Sequence, residues 1–242
     1  MERKIWGLAF LTAMAFVLAP TCLGQDSSGK VLRQQEHYTV SLELEFSKKN
    51  PNALQRVITF LMEGGPNGYA TGFLVGDGLV MTAYHVVSGE LSDSKKRVLG
   101  FKPVDQLDVK VYVNGCKANV IKVDKEADLA LLAICGSQKQ TKALAFHGTP
   151  GKDEKLLVIA RPHGDKMVSR GVFYGPYTFR GQEYLSVKIE GRDGYSGSPV
   201  YNQRAEIVGV FSGYDWSQKL GLISPGMKAQ KLLEDYNSTP KP

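Results

Sequence analysis

The chain has 242 residues, 43% hydrophobic, 22% charged and 10% aromatic, which excludes a disordered, collagen-like or disulfide-dense scaffold. At this length one domain or two tightly joined halves can build a real core, whereas two full-sized domains would be crowded. The +6 balance of 30 Lys plus Arg against 24 Asp plus Glu is modest and singles out no acidic partner.

In chain order, Glu2, Arg3 and Lys4 precede the uncharged run Ile5 to Ala19, then the small-residue stretch Pro20 to Gly24 and the polar Gln25-Asp26-Ser27-Ser28. This three-part pattern predicts a secretory signal peptide over residues 1–24. A spanning helix needs about 20 apolar residues. The run has 15, so the mature chain, at +5, is expected to have no stable membrane span and to be secreted or periplasmic. Retention of Cys22 as an acylated amino terminus is the alternative, but Ala19-Pro20-Thr21 fits poorly with a lipoprotein box.

Residues 25–52 read as a polar N-terminal extension whose alternating Tyr38 to Phe46 could form an edge strand. A domain is expected over 53–236, in halves of about 53–138 and 139–224, with a helix over 225–236 and a tail over 237–242. Short apolar runs separated by turn residues predict an all-β sandwich or barrel. Val57 to Met62 reads as one strand. Ala70 to Val75 and Leu79 to Thr82 flank Gly76-Asp77-Gly78, and Leu107 to Val113 and Cys116 to Val123 flank Asn114-Gly115, the strongest hairpin turn of the chain.

The strand Leu129 to Ile134 returns after Asp124-Lys125-Glu126-Ala127. With that turn centred between residues 125 and 126, opposed positions sum to 251, as do Cys116 and Cys135. Exported proteins live where disulfides persist, so a Cys116–Cys135 bond is expected, contributing ~3 kcal/mol in the chain-entropy model. Two buried free thiols are the alternative, since directly opposed positions often strain such a bond. The second half repeats the β rhythm in Leu156 to Ala160, Met167 to Tyr174, Tyr184 to Ile189 and Ile207 to Phe211. Pro225 to Tyr236 is a short amphipathic helix opened by Ser224-Pro225. Two β-rich halves closed by a terminal helix point to paired barrels.

Gly194-Tyr195-Ser196-Gly197-Ser198-Pro199-Val200 places a serine between glycines in a tight turn before an apolar strand. Glycine at 194 permits a backbone conformation that other residues resist, so the amides of Gly194 and Ser196 can converge beside the hydroxyl as an oxyanion hole. Thr82-Ala83-Tyr84-His85-Val86-Val87 ends an apolar strand in a histidine. Ala127-Asp128-Leu129-Ala130-Leu131-Leu132 starts a strand, too apolar to bury a carboxylate without a partner, with an aspartate. His85, Asp128 and Ser196, divided between the halves, would meet in the groove between barrels.

With these motifs the chain resembles the trypsin-like (chymotrypsin-fold) serine endopeptidases, and among them the protease domain of the HtrA/Deg type. The resemblance runs from about Val57 to Asp235. It rests on Gly72-Phe73-Leu74-Val75 before the His85 motif, on the Asp128 motif, on Pro162-His163-Gly164 with Gly171, on Gly194-Tyr195-Ser196-Gly197, and on Val208-Gly209-Val210. It implies two six-stranded antiparallel barrels with a C-terminal helix. It further implies Ser196 as nucleophile, His85 as general base and acid, and Asp128 holding the imidazole tautomer. Ser212-Gly213-Tyr214 falls where the family lines its substrate cleft with a strand edge, which implies binding of peptide by strand addition.

The chain also departs from the pattern. Tyr195 stands where zymogen-type members carry an aspartate, and Ser198 replaces the usual second glycine. Residues 225–242 offer no room for a PDZ domain. Glu190 lies near the position where trypsin carries its selecting acid, but Arg192 and Asp193 are adjacent, and a local ion pair is the preferred reading. His37, His147 and His163 have no partners at metal-ligand spacing, so no metal or other cofactor is expected. Gly65-Pro66-Asn67-Gly68 lacks the Lys-Ser/Thr of a phosphate loop, Lys95-Lys96-Arg97 reads as a solvated loop and not a nucleic-acid patch, and Asn237-Ser238-Thr239 fits a glycosylation acceptor. The expected function is an exported endopeptidase acting on protein or peptide substrates, with a catalytically latent fold used as a binding module as the alternative.

Overall fold

Strands in this chain are of two kinds, and their burial follows from which faces they cover. The computed structural model describes residues 27–51, 65–136 and 144–239. The expected signal peptide, the Val57 to Met62 strand, the division at 138/139 and residues 240–242 lie outside them. The first barrel contains β1 (Thr39–Lys48), β2 (Gly68–Gly76), β3 (Leu79–Ala83), β4 (Leu107–Val113), β5 (Cys116–Asp124) and β6 (Leu129–Ala133), closed in the order β1-β2-β3-β6-β5-β4. The second contains β7 (Lys155–Ala160), β8 (Met167–Phe179), β9 (Gln182–Lys188), β10 (Pro199–Tyr201), β11 (Ile207–Asp215) and β12 (Leu220–Pro225), closed in the order β10-β11-β12-β9-β8-β7. Their pairings are antiparallel throughout.

Alternating strands bury one face. In β1 the residues Val40, Leu42, Leu44 and Phe46 point into the first barrel with Leu74, Val80, Val111 and Leu132. The intervening Glu45 faces outward and takes Lys110 at 2.9 Å and the Tyr112 hydroxyl at 3.1 Å. Continuous apolar strands bury both faces, because their outer side forms the seam between barrels. Phe73, Met81, Leu129 and Leu131 of the first barrel meet Leu157, Ile159, Tyr201 and Ile207 of the second there. Each fully buried Leu or Ile contributes roughly 1.5–3 kcal/mol. The terminal helix α4 (Gly226–Asn237) agrees with its expected place and covers this seam with Ala229 and Leu232.

The structure corrects the reading of the N-terminal extension. The segment read as an edge strand is β1, paired on both sides, to β2 and β4, so the first barrel begins at Thr39 and not at residue 53. An apolar face made of four large side chains has to be covered, and the barrel interior covers it. Before it, helix α1 (Ser27–Gln35) places Val31, 1% exposed, in the seam, and Gln35 Nε2 donates to Ala205 O at 3.2 Å. The segment packs on the seam and is absent from the lining of the cleft described below.

The register expected for the cysteines also shifts. Asp128 belongs to the turn, at φ +54°, so Asp124 pairs with Leu129, and a bulge between Val120 and Lys122 leads to Asn119 opposite Ala133. Cys116 and Cys135 therefore lie beyond this ladder, not opposed within it. They form a disulfide with Cα atoms 6.1 Å apart. Asn114 and Gly115, at φ +52° and +75°, make the expected two-residue turn.

Three further differences have local causes. Lys95-Lys96-Arg97 sits on a short helix, α3 (Asp93–Val98), which follows α2 (Tyr84–Val87); Ser92 caps α3 by accepting from Lys95 N at 3.4 Å. Strand β8 runs past Gly175-Pro176 because a bulge at Tyr174 absorbs the irregularity and Gly175 pairs on with Ser186, and it turns at Arg180-Gly181, φ +51° and +82°. Strand β12, interrupted by Gly221, has too short an apolar pattern to be read alone. Among the described residues no helix is long and apolar enough to cross a membrane.

Candidate active site

His85 and Asp128 are brought together by one ladder. Strands β3 and β6 pair with Ala83 opposite Leu129, so α2 leaves one strand where the Asp128 turn enters the other. Asp tolerates the left-handed backbone that this turn needs. The turn is tied by Ala127 N to Asp124 Oδ1 at 2.9 Å and Tyr84 N to Asp128 O at 3.0 Å. The Asp128 carboxylate, on a residue 8% exposed, accepts twice from His85. The backbone N–H donates to Oδ1 at 2.9 Å, and ring Nδ1 lies 2.9 Å from Oδ2.

The second barrel supplies Ser196, whose Oγ lies 2.8 Å from His85 Nε2. With Nδ1–H committed to the carboxylate, Nε2 is the acceptor and the serine hydroxyl the donor. This is a geometry that can activate a hydroxyl: an imidazole so placed can take the proton, and a carboxylate beyond it can stabilise an imidazolium.

The turn carrying Ser196 has little regular structure and is shaped by contacts. Gly194 and Gly197 have φ of +83° and +84°. A side chain at 197 would collide with the Thr82 hydroxyl and the Thr71 carbonyl, and one at 194 with Pro162. Tyr195 N donates to Arg192 O at 3.3 Å, Ser198 N to Tyr195 O at 2.9 Å and Gly197 N to Phe211 O at 2.7 Å. Among the described residues no backbone carbonyl takes the N–H of Gly194 or of Ser196. Both donors are thus available to an oxyanion.

Where zymogen-type relatives hold a carboxylate, Tyr195 is buried at 1% exposure, edge-on to Phe211 with ring centroids 5.8 Å apart. Its hydroxyl lies 2.7 Å from Ser169 Oγ on β8. The turn is anchored in that place by an uncharged side chain. Glu190 and Arg192 form the expected local ion pair, at 3.1 Å and well exposed.

Ser212, Gly213 and Tyr214 lie on β11 at a register shift between Phe211 and Gly213. The β10 pairing of β11 ends where Pro199 meets Val210, so Gly213 and Tyr214 are paired to β12 on one side and not to β10 on the other. Ser212, Gly213 and Tyr214 line a cleft of about 590 Å³ with His85, Asp128, Phe179, Arg180 and Tyr184. The Ser212 hydroxyl lies 2.6 Å from Ser224 Oγ, which donates to Ala127 O at 2.5 Å and so links the second barrel to the Asp128 turn. Tyr214 packs its ring against Gly191 and edge-on to Trp216 at 4.7 Å. Above the cleft, the β8–β9 hairpin is pinned by Tyr177, which donates to Asp215 Oδ2 at 2.7 Å. Bonds from the Ser217 and Tyr177 hydroxyls hold the Asp215 carboxyl down at about 2.

Sequence reasoning missed Thr71, Thr82 and Ser224. All three are buried polar residues on strands. The one signal for them is the rule that a buried hydroxyl has a partner, which names no partner.

Comparison with known proteins agrees with this architecture. Residues 70–210 match the model of the trypsin-like peptidase domain. A probable periplasmic serine endoprotease, DegP-like, of Pseudomonas savastanoi pv. phaseolicola is 26% identical over 149 residues, covering 59% of this chain and 28% of that protein. A glutamyl endopeptidase of Staphylococcus aureus is 22% identical over 199 residues, covering 76% of this chain and 60% of its own. The chain thus spans less than two thirds of either relative. Among solved structures, the active form of the Rv3671c protease from M. tuberculosis superposes with a TM-score of 0.61 at 17% identity, over 89% of this chain and 88% of that one. The match to the family model covers more than half of the chain, and the chain belongs to the trypsin-like peptidase domain family.

Proposed function

We propose that this protein is an exported serine endopeptidase that hydrolyses peptide bonds through an acyl-enzyme. The observation that carries the reading is the unbroken hydrogen-bonded line Ser196 Oγ, His85 Nε2, His85 Nδ1, Asp128 Oδ2, at 2.8 and 2.9 Å. In the first step His85 takes the Ser196 proton as Oγ attacks the substrate carbonyl, and the negative charge on that oxygen goes to the amides of Gly194 and Ser196. The imidazolium then gives its proton to the leaving amine, and water repeats the sequence on the acyl-enzyme. The free edge at 212–214 would take the substrate as an added strand. Export is supported by the signal-like residues 1–24 and by the Cys116–Cys135 disulfide, a bond that persists in oxidising compartments.

The test is covalent labelling of the purified protein by a fluorophosphonate, read by intact mass. Wild type should gain one adduct, and Ser196→Ala and His85→Ala should gain none. A folded wild type that stays unlabelled overturns the reading in favour of a latent binding module. For export, the protein recovered outside the cytoplasm should begin at Gln25.

A further inference from the structure

The two carbonyls on either side of the Tyr195–Ser196 peptide are held from the other barrel by one residue. Thr71, on β2 and fully buried, donates its backbone N–H to Ser196 O at 3.0 Å and its hydroxyl to Gly194 O at 2.8 Å. The same hydroxyl accepts from Arg161 N at 3.0 Å. A hydroxyl has one proton, so with its acceptor side taken the proton is directed at Gly194 O. The carbonyl of Thr71 accepts from the Thr82 hydroxyl at 2.8 Å, so β3 steadies the residue that steadies the turn.

Peptide planarity converts these bonds into an orientation. The Gly194 carbonyl and the Tyr195 N–H share one rigid plane, and the Ser196 carbonyl and the Gly197 N–H share another. The second plane is held at both ends, because Gly197 N donates to Phe211 O at 2.7 Å. The first is held by Arg192 O through Tyr195 N, at a long 3.3 Å, and by the Thr71 hydroxyl. Gly194 has no side chain to resist rotation. Without the hydroxyl, the plane that sets the direction of the neighbouring Gly194 and Ser196 amides has one long bond left.

We propose that Thr71 is a positioning residue for the nucleophile turn: its hydroxyl holds the 194–195 peptide so that the Gly194 and Ser196 amides aim at the substrate's carbonyl oxygen. This deepens the peptidase reading and rests on it. Thr71 touches neither substrate nor His85, and it acts through Gly194.

Two substitutions separate positioning from packing. Thr71→Val keeps the volume and the backbone N–H and removes the hydroxyl, whereas Thr71→Ser keeps the hydroxyl and removes the methyl. The second-order rate of fluorophosphonate labelling of the full protein is followed from about pH 5 to 9, with Tm measured alongside. In Thr71→Val the plateau rate should fall about 10- to 100-fold, the scale of loss from misplacing reacting groups by about an ångström. The pH midpoint should stay where it is, because the His85–Asp128 pair is untouched. Thr71→Ser should label faster than Thr71→Val. Labelling of Thr71→Val at the wild-type rate, or a Thr71→Ser rate at or below that of Thr71→Val, overturns the proposal and leaves the peptidase reading standing. A wild type that does not label overturns both. If Thr71→Val does not fold, Thr71→Ala takes its place, and Thr71→Ser must then exceed it by about tenfold.

Discussion

The first barrel builds its half of the site from a ladder, and the second builds its half from a loop. His85 and Asp128 sit next to a paired position, Ala83 opposite Leu129, so the hydrogen bonds that make the sheet also set the distance between imidazole and carboxylate. Ser196 sits between β9 and β10 in a turn with two left-handed glycines, held by Tyr195, Phe211 and Thr71. The His85–Asp128 pair is therefore placed largely by sheet register, while Ser196 is placed by the contacts of its own turn. A strand register is set by a whole row of residues, and a turn by a few bonds.

Three measurements sharpen that contrast. The largest effect is expected for Asp128→Asn, which leaves the ladder intact and presents the wrong hydrogen-bonding group to His85 Nδ1. The labelling or hydrolysis rate should fall about 10⁴-fold with Tm nearly unchanged. A large drop in Tm would mean that the carboxylate is part of what holds the turn together.

A middle-sized effect is expected on stability alone when the first barrel loses its disulfide. Cys116→Ser with Cys135→Ser should lower the unfolding free energy by about 3 kcal/mol in chemical denaturation. The labelling rate of the folded fraction should stay at the wild-type value, because β3 and β6 pair independently of that bond. A slower rate in folded protein would show the ladder to be less self-sufficient than the comparison holds.

The smallest effect concerns pH and the hairpin over the cleft. Asp215 has its carboxyl held down at about 2, first by the Ser217 hydroxyl and then by Tyr177, against an ordinary value of 3.8. A depressed carboxyl stabilises the fold above its unfolded value, and that contribution is lost as pH falls from about 4 through about 2. The Tm gap between wild type and Asp215→Asn should be constant above pH 5 and shrink toward pH 2. A gap independent of pH would mean that folding does not depress the Asp215 carboxyl.

Much of the site could be read from residue types and spacing. Ser196 between glycines, His85 at a strand end and Asp128 at a strand start are local signals, because each reflects what its own turn requires. The structure brings the three together at hydrogen-bond distance. The hairpins at Asp77-Gly78 and Asn114-Gly115 and the helix after Pro225 were equally local. Residues 39–48 were misread because alternation reports a buried face but not what buries it. The cysteine register was misjudged because a left-handed Asp128 lengthens the turn and a bulge at Ile121 then shifts the ladder, neither of which composition reveals. Ser212 lines the cleft with Gly213 and Tyr214, and its place in the motif could not show that its hydroxyl is also bonded to Ser224.

By itself, then, the sequence determined the strand rhythm, the tight turns and the three side chains able to carry acyl transfer, because backbone sterics and hydrophobic periodicity act over a few residues. Tertiary structure decided that β1 closes the first barrel, that Ser224 links the second barrel to the Asp128 turn, and that Thr71 reaches Gly194. Those bonds join residues 97 and 123 positions apart, and they exist because two barrels share one apolar seam that brings their edges together.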